Sequence, residues 1–129
     1  IKLYVTHRAL DYRRRRSELF AEGAYVPLEA QGHRQEHVVA FGRERGGETA
    51  IVIVPRFLAR LHLTDPPVGS SLWAGTSLDL PEAWASRSYR NVLTGEGVPV
   101  ASREGRPSIP LETALAIFPV ALLEATNGR

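Results

Sequence analysis

Three features of this sequence predict a mainly β fold, with an N-terminal α-helix followed by an antiparallel β-sandwich of seven or eight short strands. Ala50-Ile51-Val52-Ile53-Val54 is an unbroken apolar run rich in β-branched residues, the pattern of a strand covered on both faces. From residue 24 onward, short extended segments alternate with turn residues at roughly regular spacing, as in sandwiches. Helical periodicity of any length is confined to the start of the chain. At 129 residues the protein has room for one core and not for two large ones. We therefore divide it into a helix over residues 1–23 and a sandwich over residues 24–129.

Residues 2 to about 20 read as one helix, with Leu3 and Leu10 on one face and Val5, Ala9, Tyr12 and Leu19 broadening the apolar stripe. Gly23 is its expected stop. Tyr25 to Ala30 reads as extended, with Pro27 suggesting an edge, and residues 31–34 as a loop. His37 to Phe41 and Ala50 to Val54 form the expected central hairpin, joined by a polar segment carrying Gly46-Gly47. Phe57 to Leu63 fits a strand or a short helix equally well, and Thr64 to Ser71 is a turn-rich break.

Leu72-Trp73-Ala74 and Ser77 to Pro81 read as extended, and Arg87 to Thr94 alternates polar and apolar as a half-buried strand does. Val98 to Ala101 reads as extended and Arg103 to Pro107 as an exposed turn. Pro110 to Ala116 has helical spacing, Pro119 to Leu123 is a closing strand, and Asn127-Gly128-Arg129 is expected to be a frayed tail.

Composition narrows the function classes. Hydrophobic residues at 43% and charged residues at 23% match a globular domain and argue against disorder. With no cysteine, disulfides and thiolate metal sites are excluded, and a cytoplasmic location is expected. No apolar run approaches the ~20 residues of a membrane helix. The chain has no methionine and starts at Ile1, so we expect a piece of something larger. A net charge of +2 is too small to argue for nucleic acid, although Arg13-Arg14-Arg15-Arg16 makes a basic nucleic-acid-binding domain one reading to weigh. Four consecutive helical positions span about a full turn and cannot all face one ligand. A solvated helix end, with cations near the negative end of the dipole, accounts for them better.

No catalytic constellation emerges. His33-Arg34-Gln35-Glu36-His37 matches H-x-x-E-H, whose zinc chemistry needs both imidazoles on one helical face. Here Gly32 precedes the motif and a β-branched strand follows it, so no metal site is expected. The three aspartates pair with no particular glutamate, and P-loop, G-x-S-x-G and G-x-G-x-x-G motifs are all missing. Trp73 is expected in the core. Trp84 and Tyr89 are the candidate substrate-binding residues, because a flat aromatic face stacks on the C–H surface of a sugar ring. They would make the chain an autonomous carbohydrate-binding module.

Residues 1–10, the arginine-rich segment and Glu18 to Leu28 together resemble the exit from the catalytic barrel in malto-oligosyltrehalose synthases, a family of the α-amylase superfamily. His37 to Arg43 with Ala50 to Pro55 resembles the first hairpin of that family's C-terminal β domain. Asn91 to Gly95 and Phe118 to Leu123 resemble its later strands. The resemblance covers nearly the whole chain, and its motifs are structural. It implies a non-catalytic C-terminal domain supporting a (β/α)8 barrel of the same parent chain. The parent would convert the reducing-end α-1,4 bond of a malto-oligosaccharide into an α,α-1,1 bond, by a retaining mechanism without a cofactor. Malto-oligosaccharide is the second implied partner. No segment here matches the motifs bearing the family's catalytic carboxylates, so the fragment alone is expected to be inactive. A helix that covers a barrel would leave Leu3, Val5 or Tyr12 exposed when the barrel is absent.

Overall fold

In the computed structural model, which describes residues 2–126, the expected hairpin is the centre of the larger of two sheets. Strands β3 (Val38–Arg45) and β4 (Glu48–Pro55) run further than the sequence suggested, and only Gly46-Gly47 turns between them. Both glycines have positive φ, 56° and 89°, as a two-residue turn matching the strand twist requires. The remaining strands are β1 (Ala24–Leu28), β2 (Ala30–Gly32), β5 (Thr76–Asp79), β6 (Ser88–Asn91), β7 (Gly97–Pro99), β8 (Ala101–Arg103), β9 (Arg106–Pro110) and β10 (Ala121–Ala125). One sheet has the order β1-β3-β4-β10-β6-β7 and the other β2-β5-β9-β8, and every pairing is antiparallel.

The two sheets enclose the main core. Ile51 and Ile53 of β4 point into it with Trp73, Leu78, Ile109 and Leu123. Each such fully buried side chain contributes about 2 kcal/mol of transfer free energy. The alternate residues of β4, Ala50 and Val52, face the other way into a second cluster with Tyr12, Leu19, Val92 and Leu122. The continuous apolar run in β4 thus has its reason: one face meets the second sheet and the other meets the helices.

Those helices correct the expected single one. Helix α1 (Lys2–Arg15) and helix α2 (Ser17–Glu22) are separated by Arg16, whose φ of −119° and ψ of 42° leave the helical region. The Arg16 guanidinium reaches toward the sheet, 3.7 Å from Glu124 on β10 and 3.9 Å from Glu48 on β4. The break turns α2 so that Leu19 enters the second cluster. Gly23 ends α2 as expected, its N–H donating to the Leu19 carbonyl.

Four further expectations change. Leu72-Trp73 belongs to a helical turn, α3 (Ser70–Trp73), which buries both side chains. Residues 58–61 form a 3-10 turn, settling the ambiguity there. Arg106-Pro107 starts β9, an inner strand of the smaller sheet where a turn is expected, because its prolines disguise it. Val98 to Ala101 splits at Val100 between the sheets, as residues 24–32 split at Glu29, which raises the strand count among the described residues to ten. The short helical stretch near residue 111 is borne out by α4 (Leu111–Ala114). Asn127-Gly128-Arg129 lie outside the described residues.

Candidate functional site

The two residues proposed for sugar stacking lie in the interior. Trp84 and Tyr89 are each 1% exposed. The Trp84 indole lies against β3, its Nε1–H donating to the Glu44 carboxylate at 3.2 Å. Arg87 closes over it, donating to the same carboxylate at 3.0 Å and to the Thr49 hydroxyl. Burial pushes the Tyr89 hydroxyl up to about 12; the nearby Arg87 opposes that shift, and Glu44 adds to it. Neither ring offers a face to a ligand, so the expected platform is a packing and hydrogen-bonding unit that locks residues 84–89 onto the hairpin. Among the rings that do reach solvent is Tyr25, 57% exposed and stacked on Phe41 across β1 and β3.

The H-x-x-E-H residues also part company. His33 is exposed, while His37 is buried in a 3-10 turn with Nδ1 3.3 Å from the Arg56 carbonyl and Nε2 3.4 Å from the Glu36 carboxylate. No group of three or more His, Asp or Glu side chains among the described residues could hold a metal.

The N-terminal helix carries exposed apolar surface. Leu3 is 85% exposed, as expected for a helix made to be covered; Val5 is half-buried, and Leu10, which that expectation does not include, is 50% exposed. Tyr12 departs from that expectation. At 1% exposure it is buried against the sheet, where desolvation, with Glu124 adding, pushes its hydroxyl up to about 12 against the pull of Arg16. The helix is tied down by polar contacts at its other end: the Tyr4 hydroxyl donates to the Leu93 carbonyl at 2.9 Å and Arg8 to the Val92 carbonyl at 2.7 Å. Between α1 and the sheet runs an apolar groove of about 290 Å³, walled by Val5, Ala9, Leu10, Val52, Val54 and Val120. The sequence signal for it was available in the parity of β4, whose even-numbered residues had to face something other than the sandwich core.

No family model matches this chain. Over 127 residues, 98% of its length, it is 35% identical to the proteins provisionally named maltooligosyl trehalose synthase in two strains of Mycobacterium tuberculosis, CDC 1551 / Oshkosh and ATCC 25618 / H37Rv. A solved structure of a mutant maltooligosyltrehalose synthase from Arthrobacter ramosus matches 92% of the chain at 34% identity with a TM-score of 0.64. The chain is homologous to the C-terminal region of maltooligosyl trehalose synthases. It spans 14% of the Mycobacterium synthases and 13% of the Arthrobacter synthase chain. A noncanonic maltogenic α-amylase from Thermotoga neapolitana shares the fold, with a TM-score of 0.58 over 96% of this chain at 16% identity. The helix followed by two antiparallel sheets is therefore the architecture of the synthase C-terminal domain.

Proposed function

We propose that this chain is the non-catalytic C-terminal β domain of a malto-oligosyltrehalose synthase, and that it supports a catalytic (β/α)8 barrel. The conversion of a reducing-end α-1,4 linkage into α,α-1,1 then belongs to the rest of a longer chain. The observation that carries this reading is the pairing of a sheet-backed helix with an apolar outer face, Leu3 and Leu10, in a domain whose relatives are about seven times longer. Buried Trp84 and Tyr89 weigh against an autonomous sugar-binding module. The pairing of Arg15 with Asp11 and of Arg16 with Glu48 and Glu124 weighs against a nucleic-acid surface built on the four arginines.

Leu10→Asp tests the proposal in the longer synthase carrying this domain. A charge at a half-exposed helical position costs the isolated chain under about 1 kcal/mol. If Leu10 is covered by the catalytic part, the same charge is buried unpaired and costs several kcal/mol of interdomain stability. Calorimetry of the longer synthase should then show this domain melting separately and earlier. An unchanged melting profile would contradict the proposal.

A further inference from the structure

The arginine run separates into two pairs with different fates. Arg15 is spent on Asp11, 3.1 Å away, and Arg16 on the two sheet carboxylates. Arg13 and Arg14 are exposed, and among the described residues neither makes an ion pair. Both line a second crevice, of about 350 Å³, with Leu10, Ser17, Phe20 and Ala21. Leu10, Arg13 and Phe20 also line the apolar groove, so the two hollows adjoin. The result is a nearly all-apolar slot between α1 and the sheet, opening at a mouth that holds two unpaired guanidiniums and a serine hydroxyl.

From this geometry we infer that the slot and its mouth receive a segment of the synthase's catalytic part in which aliphatic residues flank an Asp or Glu. The aliphatic side chains enter the groove against Val52 and Val54, and the carboxylate is held by Arg13 and Arg14. Charge complementarity decides the occupant. An apolar segment alone would leave two cations desolvated at the rim without compensation, whereas a carboxylate there is met by charge-assisted hydrogen bonds in a partly dry setting. A planar guanidinium fork suits a carboxylate better than a lysine would. The inference rests on the support-domain reading above and names the chemistry of that contact.

The test is charge reversal, Arg13→Glu with Arg14→Glu, in the longer synthase, with Arg15→Glu, half that charge change and outside the slot's lining, as a control. Limited proteolysis reads the release of this domain, and Leu10→Asp is run in parallel. The double variant should release the domain at least tenfold faster, the control should behave as wild type, and high salt should move the wild type toward the variant. Release by Leu10→Asp but not by the double variant would overturn the carboxylate contact and leave the support reading standing. Silence from both would sink the two together. Should the 129-residue chain instead bind decanoate in a manner abolished by Arg13→Glu with Arg14→Glu, while the longer synthase resists release, the slot serves a free amphiphile and the interdomain contact is wrong.

Discussion

Trp84→Ala will cost this fold about 3–5 kcal/mol, the range for deleting a fully buried large aromatic. Adding one methyl opposite it will also hurt. A Cβ at Gly42 would lie 2.6 Å from Cη2 and 3.1 Å from Cζ3 of Trp84, distances that force something to shift. The indole cannot slide freely, because Nε1 is held by Glu44 and the ring is capped by Arg87. Overpacking costs about 1–3 kcal/mol, against a gain of roughly 0.5–1 kcal/mol from restricting the unfolded chain at a former glycine. Gly42→Ala should therefore destabilise, and Gly42→Val should do so more. Urea denaturation of Gly42→Ala, Trp84→Phe and the double variant checks the origin. The pair should be less destabilised than the sum of the singles by about 1 kcal/mol or more. Additive losses would mean that Gly42 is needed for its backbone alone.

Alkaline pH should unfold the chain earlier than its arginine content would suggest. Tyr12 and Tyr89 release their protons near pH 10 when unfolded and near 12 when folded, burial being the chief cause in both. Between those values the folded state binds more protons than the unfolded one, so stability falls as pH rises and the loss is complete above about pH 12. Two shifts of about two units each correspond to about 5 kcal/mol in total. Tyr89→Phe should remove about half of that slope between pH 10 and 12, whatever it does to stability at neutral pH. A variant with the wild-type alkaline slope would show that Tyr89 ionises as an ordinary surface tyrosine.

Much of the fold was legible because its signals are local. The β4 run, the Gly46-Gly47 turn and the helical spacing of the first residues each act within a few positions, and each reappears in the structure. What stayed hidden depends on distant partners. The helix breaks at Arg16, whose guanidinium reaches Glu48 and Glu124, residues far along the chain. Strand β9 looks like a turn because Pro107 and Pro110 remove two donors, yet it pairs on both sides with β5 and β8. The polar residues beside Trp84 do not expose it. Arg87 instead folds back over the ring and satisfies Glu44, so the same polar residues are the reason the indole can be buried. Of the candidate site, Leu3 and Leu10 could be foreseen from helical spacing. The groove beneath them could be foreseen only in part: the parity of β4 turns Val52 and Val54 away from the sandwich core, whereas nothing local signals that Val120 joins them.

The claim that this chain supports catalysis without performing it is tested most directly by incubating it with maltopentaose and following the loss of reducing ends. The chemical shifts of its amides would be recorded in the same titration. The account predicts no loss of reducing ends and no shift changes around Trp84 and Tyr89. Formation of a non-reducing product by these 129 residues alone would contradict it.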